Sequence, residues 1–192
     1  AMYSFRDGGV KNAVEAAVDR GVTIRAILES ARQDRNDPEG SLSQWLEDMG
    51  VEVRWVNKIM HHKFAIIDGP HTPEDLPEEA TLINGSGNWS YGAASKYDEN
   101  TVFLSGHGRL ITAFAREFNH LWANSRDFLW NDTLDYITTD AVELDGPLSL
   151  PRDGVEVYFT SNNFRTYESP RYGNTFGIIS GRNTIADQIV KL

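Results

Sequence analysis

The 192-residue chain is 40% hydrophobic and 24% charged, which is ordinary for a globular α/β protein and enough for a sizeable core. Its formal net charge of −10 makes it a poor general binder of nucleic acid, although a small basic groove can sit on an acidic protein. The sequence has no cysteine, no carboxylate cluster with metal-ligand spacing and no apolar run of transmembrane length.

The first forty residues predict a strand, a helix, a second strand and a loop. Residues 1–5 are strand-like from the first position, with no lead-in. Apolar residues at helical spacing predict a helix over 9–20, which Gly21 ends. A run rich in β-branched residues predicts a strand over 22–28, and polar residues with proline and glycine predict a loop over 31–40.

The middle of the chain predicts a short helix, several strands and a long helix. Ser41 and Gln44 form a capping-box pattern at the start of the short helix, which Gly50 ends. The strands that follow are predicted over residues 51–56, 64–67, 80–84 and 98–104. The amphipathic helix 107–124 comes next, and its apolar stripe is most simply explained by packing against the sheet.

Two blocks of sequence carry the chemistry. Residues 61–68 have the spacing H-x-K-x4-D, and residues 85–90 have the spacing G-S-x-N-x-S. Each block adjoins a predicted buried strand, so neighbouring strands are expected to bring their polar residues into a small space. These residues are His61, Lys63, Asp68, Ser86 and Asn88.

This set of side chains fits a phosphate group and requires no metal. Lys63 supplies a positive charge, Ser86 and Asn88 are neutral donors, and glycine amides of the second block can approach an anion closely. The ordinary pKa of histidine lies near physiological pH, so His61 can be a neutral nucleophile or a proton carrier. His62 is interpreted as structural, because adjacent residues of a strand face opposite ways.

At these residues the chain resembles the phospholipase D superfamily, whose signature is the HKD motif followed by G-S-x-N. The likeness extends to Glu99, which is similar to the acidic residue that orients the catalytic histidine in that family, and to residues 21–25, which resemble a helix-to-strand junction of the family. The resemblance implies an α/β fold, an α/β/α sandwich with a central mixed β-sheet flanked by helices. One departure is the long connection between the two blocks, interpreted as an inserted hairpin loop that shapes access to the site.

The resemblance also implies a domain organisation. Residues 1–125 are similar to a first phospholipase-D-like unit that lacks its opening strand and helix, and residues 126–153 form a linker. Residues 154–192 resemble the beginning of a second unit. The chain is therefore interpreted as an internal piece of a longer two-unit protein. The strand predicted over 155–159 then takes the place of the missing opening strand of the first unit, pairs with another chain or stays unpaired.

Members of this family join two HKD motifs in one active site, from two units of one chain or from two identical chains. This sequence has one such motif, so the resemblance implies a half-site that is completed by a missing C-terminal unit or by a homodimer partner. The implied roles are catalytic for His61, Lys63 and Asp68, phosphate-binding for Ser86 and Asn88, and histidine-orienting for Glu99. No cofactor is expected.

The resemblance implies a phosphodiesterase that hydrolyses phosphatidyl groups, or transfers them to an alcohol, through a covalent phosphohistidine. A phospholipid or another phosphodiester is the expected substrate. A nuclease that uses the same chemistry is one alternative, which the negative charge disfavours, and a non-catalytic scaffold is another. Which histidine attacks and which protonates the leaving group stays open, as does the compartment, where a secreted or membrane-peripheral bacterial protein is favoured.

Overall fold

The computed structural model describes residues 1–56, 59–70, 75–129, 157 and 159. Its strands are β1 (Arg25–Ile27), β2 (Glu52–Val56), β3 (Phe64–Ile67), β4 (Thr81–Gly85), β5 (Thr101–Ser105) and β6 (Ser125–Asp127). Its α-helices are α1 (Gly8–Asp19), α2 (Ala31–Asp34), α3 (Leu42–Asp48), α4 (Tyr91–Ser95) and α5 (Gly108–Ala123), and a 3₁₀ turn spans Pro77–Glu79. The two long helices match their predicted positions within a residue, whereas the predicted loop over 31–40 contains the one-turn helix α2.

The strands form two three-stranded sheets that the N-terminal segment joins. In the first sheet β2 lies between β1, which is parallel to it, and β6, which is antiparallel. In the second sheet β4 lies between β3 and β5, and both pairings are antiparallel. Met2 bridges to Leu28, directly after β1, and to Lys63, directly before β3. The predicted first strand is therefore reduced to isolated bridges, but it connects the two halves into one mixed sheet.

Helices cover both faces of this sheet. Consecutive residues of a strand face opposite ways, and so Ile27 packs into the cluster of α5 while Leu28 packs into the cluster of α1 and α3. The stripe of α5 packs as predicted, with its large side chains almost fully buried: Ile111, Phe114, Leu121 and Trp122. The predicted α/β/α sandwich with a central mixed sheet is confirmed.

Side-chain caps fix where several helices begin. The Asp7 carboxylate accepts from the amide of Val10 at 3.0 Å, and the Ser41 hydroxyl accepts from the amide of Gln44 at 3.1 Å. The predicted capping box is present only in its serine half, because the Gln44 side chain donates to Asp48 at 2.7 Å. A serine cap alone stabilises a helix by about 1 kcal/mol.

Regular structure continues past residue 125, and the predicted division into two units stays a prediction. Strand β6 pairs with β2, and Phe128, which is buried, donates its amide hydrogen to the carbonyl of Val53 at 3.0 Å. Val157 and Phe159 pack against the cluster around Phe64. The remainder of the predicted linker and second unit lies outside the described residues. Within the described part, no helix has both the length and the apolar character needed to cross a bilayer.

Candidate active site

The antiparallel pairing of β3 and β4 brings the two sequence blocks together. Phe64 lies opposite Asn84, so the start of β3 meets the end of β4. The amide of Gly85 donates to the carbonyl of Lys63 at 3.3 Å, which joins the blocks directly. The amide of Tyr3, on the N-terminal segment, donates to the carbonyl of His62 at 2.9 Å. The site therefore lies at one end of the second sheet, beside the N-terminal segment.

His61 and Lys63 form the centre of the site. The Lys63 ammonium lies 3.0 Å from His61 Nδ1 and donates to the His61 carbonyl at 2.7 Å. His61 is exposed to solvent, whereas Lys63 is only 7% exposed. The ring of Tyr3 flanks both, with its centroid 4.5 Å from that of the imidazole and 5.1 Å from the ammonium nitrogen. The nearly buried ammonium of Lys63 is therefore in contact with the solvent-exposed imidazole of His61.

The lysine contact decides which nitrogen of His61 carries the proton. A lysine ammonium has three donors and no acceptor, so Nδ1 of His61 must accept. The proton of the neutral ring then lies on Nε2, the nitrogen that the lysine leaves unbound. In this arrangement His61 presents a donor to a ligand.

The charges around the site favour a neutral His61. Burial lowers the pKa of His61 below its ordinary value, and the charges of Lys63 and His62 lower it further, while Glu29 opposes them. Burial also lowers the pKa of Lys63, and the carboxylate of Glu99 partly counters this effect. The imidazole is therefore available as a neutral group near physiological pH.

Ser86 and Glu99 form a hydrogen-bonded pair at the edge of the site. The Ser86 hydroxyl donates to Glu99 Oε2 at 2.5 Å and accepts from the amide of Asn100 at 3.1 Å. The amide of Ser86 in turn donates to the Asn100 carbonyl at 3.1 Å. Gly85 permits this close approach of β4 and β5, because any Cβ at that position would collide with the Asn100 backbone.

Asn88 contributes a side-chain amide whose oxygen is unpaired. Its Oδ1 atom is buried and has no hydrogen-bond partner among the described residues. Its neighbour Trp89 is held by the N-terminal segment, since the Trp89 amide donates to the Ser4 carbonyl at 3.0 Å. The oxygen and nitrogen of an amide are assigned from their hydrogen bonds, and this amide has none at Oδ1. Rotating the amide would present Nδ2 as a donor, which a phosphate oxygen requires.

The position of Asp68 and the contacts of Glu99 differ from what the sequence motifs suggested. Asp68 is exposed, has a positive φ of 53° and follows the far end of β3, about 16 Å from Lys63 at the usual strand rise. The extended strand is the reason, since Lys63 precedes β3 and Asp68 follows it, and the antiparallel pairing brings only the Lys63 end to the end of β4. Glu99 binds Ser86 and influences Lys63, whereas the contact at His61 Nδ1 comes from Lys63. The supporting role of Asp68 and the orienting role of Glu99 stay predictions.

The predicted access loop begins at this same far end. Its described parts, residues 69–70 and 75–80, connect the end of β3 to the start of β4, and its 3₁₀ turn packs against α5. The expectation that this connection shapes access to His61 stays a prediction.

Tyr3 and Glu29 join the site without having been predicted. Glu29 follows β1, and its carboxylate accepts from the amide of Met60 at 2.8 Å. Glu29 could have been suggested from the sequence, because it is an acidic residue that follows a predicted strand. Tyr3 lies in no recognisable motif. In the described part of the chain, no three histidine or carboxylate side chains are grouped so as to hold a metal ion.

Sequence comparisons identify relatives of this chain. The family described as "Cardiolipin synthase, PLD-like domain" matches residues 1–122. The mitochondrial cardiolipin hydrolase of Chlamydomonas reinhardtii is 31% identical over 123 residues, which cover 63% of this chain and 49% of that protein. The human mitochondrial cardiolipin hydrolase is 29% identical over 123 residues and is covered to 43% of its length. The chain thus spans about half the length of the curated relatives that it matches.

A solved structure shares the fold. The phospholipase D family member Nuc from Salmonella typhimurium superimposes with a TM-score of 0.54 at 24% sequence identity, and the match covers 66% of this chain and 77% of that protein. At this level of identity the likeness concerns the fold alone. The family match over residues 1–122 shows that this chain belongs to the phospholipase D superfamily.

Proposed function

We propose that this protein is a phosphodiesterase that hydrolyses or transfers phosphatidyl groups through a covalent phosphohistidine, and that the chain supplies one half of the active site. The observation that carries the proposal is the contact between the accessible imidazole of His61 and the nearly buried ammonium of Lys63. A cation that burial has partly stripped of water attracts a phosphate strongly. The name of the relatives, mitochondrial cardiolipin hydrolase, favours a lipid phosphodiester.

The reaction needs two histidines in different roles. The lone pair of the first attacks phosphorus, forming a P–N bond while the P–O bond to the leaving alkoxide breaks, and the second donates a proton to that alkoxide. Water or an acceptor alcohol then attacks phosphorus and gives its proton to the second histidine. The P–N bond breaks and its electron pair returns to the first histidine. Lys63 stabilises the negative charge on the phosphoryl oxygens in both steps.

In the protonating role His61 must be an imidazolium, with a proton on each ring nitrogen, because a neutral imidazole that lost its Nε2 proton would become an imidazolate. Its Nδ1 atom then no longer accepts from Lys63, and the attacking histidine comes from the other half-site. Attack by His61 itself requires the proton on Nδ1, where a carboxylate must accept it. Glu99 is the candidate for that part, and its Oε2 atom accepts from Ser86 in this structure. A symmetric site made from two copies can use one His61 in each role.

An assay with a matched histidine control tests the activity. The intact protein and its His61→Ala and His107→Ala variants are given cardiolipin vesicles, phosphatidylcholine vesicles and, separately, single- and double-stranded DNA, with EDTA present. His107 is an exposed histidine at the start of α5, remote in sequence from both motifs. Release of phosphatidic acid that only His61→Ala loses supports the proposal. Cleavage of DNA alone supports the nuclease alternative, and activity that EDTA abolishes overturns the mechanism.

A mixing experiment tests the half-site. If two copies share one site and each contributes His61, the protein mixed with an equal amount of His61→Ala and allowed to re-equilibrate retains about one quarter of the activity expected without substitution. Independent sites would retain about one half under the same conditions. Sedimentation of both proteins supplies the oligomeric state. Absence of turnover that depends on His61, on any substrate, would favour the scaffold interpretation.

A further inference from the structure

The backbone before His61 is held by a carboxylate from another strand. Met60, which is 2% exposed, donates its amide hydrogen to Glu29 Oε2 at 2.8 Å. Glu29 follows β1, and its own amide donates to the carbonyl of Met2 at 3.4 Å. A buried amide requires an acceptor, and here the acceptor is a side chain rather than a neighbouring strand. The position of Met60 therefore depends on Glu29.

Three contacts fix the short segment that carries His61, two from other elements and one from within the segment. Glu29 binds the amide of the residue before it, and Tyr3 donates its amide to the carbonyl of the residue after it. The Lys63 ammonium donates to the carbonyl of His61 itself. Regular β3 pairing begins only at Phe64, so these contacts replace the sheet ladder at the histidine. Of the three, only Glu29 brings a negative charge.

The charged and titratable groups that face His61 come from several elements. Lys63 and His62 belong to the same segment and disfavour the protonated imidazole, whereas Glu29 favours it. The ring of Tyr3 lies against the imidazole from the N-terminal segment. Glu99 acts on this group through Lys63. Glu29 is thus the carboxylate that offsets the lysine at His61.

We propose that Glu29 is a positioning residue for His61, holding the backbone before the histidine through the Met60 amide and placing a negative charge beside the imidazole. The geometric part of this inference is independent of the reaction, and its catalytic consequence rests on the proposed function. A purely structural Glu29 would need only an acceptor oxygen. Glutamine keeps that oxygen and lacks the charge, so the two roles are separable.

The first test needs no substrate. The pKa of His61 is measured by NMR titration of histidine-labelled protein, with the resonance assigned by its loss in His61→Gln. In Glu29→Gln the pKa of His61 falls, because the acceptor remains while the favourable charge is lost. Glu15→Gln is the matched control, since Glu15 is an exposed residue of α1, and it leaves the pKa unchanged. An unchanged or raised pKa of His61 in Glu29→Gln overturns the proposal, whatever the protein's activity.

The second test uses turnover on the lipid substrate. Glu29→Gln shifts the limb of the pH–rate profile that reports His61 to lower pH and leaves KM unchanged, because the backbone contact is preserved. Glu29→Ala also loses that contact, and its kcat falls by about tenfold to a hundredfold through misplacement of the histidine. Circular dichroism establishes whether Glu29→Ala is folded. A Glu29→Gln profile that coincides with that of the unsubstituted protein would contradict the catalytic role.

Discussion

Two adjacent histidines, in the segment that leads into β3, lie in different surroundings. His61 is exposed and contacts Lys63, whereas His62 lies with its Nε2 atom 3.2 Å from Oε1 of the buried Glu117 on α5. The ring of His62 also packs edge-on against Phe64. The same residue type thus serves the solvent-facing site on one side and the core on the other. Strand alternation and the surrounding charges, rather than residue identity, decide the role.

The largest expected effect is on turnover, which should depend strongly on His61 and only weakly on His62. Replacing His61 with alanine removes a group that exchanges bonds or protons with the substrate, so kcat should fall by about a thousandfold or more. His62→Ala should retain kcat within about tenfold while it remains folded, because its ring faces α5. Steady-state turnover on cardiolipin vesicles measures both. Equal losses in two folded variants would remove the functional distinction between the two sides.

Substitution of Lys63 tests the chemistry proposed for the surface that carries His61. Lys63→Met preserves much of the buried stem and removes the charge, so kcat should fall by about a hundredfold as the phosphoryl charge loses its cation. Lys96→Met, on the exposed surface after α4, is the control and should leave kcat unchanged. A Lys63→Met variant that binds and turns over substrate normally would show that the ammonium only stabilises the fold.

The His62 side should respond in stability. Removing the imidazole leaves Glu117, 1% exposed, without one of its polar contacts, which should lower the free energy of unfolding by about 1–3 kcal/mol. His61→Ala, at an exposed position, should change it by less than about 0.5 kcal/mol. Urea unfolding at neutral pH compares the variants. A His62→Ala chain as stable as the unsubstituted protein would contradict the structural role of this side.

Sequence patterns predicted the elements well and their partners only in part. The apolar run 64–67 and the helical stripe of α5 can be recognised from the sequence, because hydrophobicity and its periodicity are local properties of the chain. The direction in which β3 and β4 pair is not local. The two blocks were expected to bring Asp68 into the same space as His61, but the extended strand β3 separates these two residues, and the antiparallel pairing brings only the His61 end of β3 to the second block.

Sequence patterns also did not predict which residues reach the site from distant elements. Glu29 precedes His61 by 32 residues in sequence, and Tyr3 belongs to the N-terminal segment, which only the assembled sheet brings to the histidine. The hydrogen bond between Ser86 and Glu99 depends on the register of β4 and β5. Motif spacing predicts which residue types are present, whereas three-dimensional pairing decides which of them touch.

The smallest expected effect is a pH dependence of stability on the His61 side. The pKa of His61 in the folded protein is lowered by burial and then by Lys63 and His62, so the fold favours the neutral imidazole. The resulting stability is present above the ordinary pKa of about 6.5 and is lost as the pH falls through the lower folded pKa. His61→Gln lacks this loss, and its stability relative to the unsubstituted protein should therefore rise between about pH 7.5 and about pH 5.5 in urea unfolding. In a Lys63→Met background the rise should be smaller, because one cause of the shift is gone. A difference that does not vary with pH would contradict the lowered pKa of His61, since burial, Lys63 and His62 would then be fully offset by Glu29.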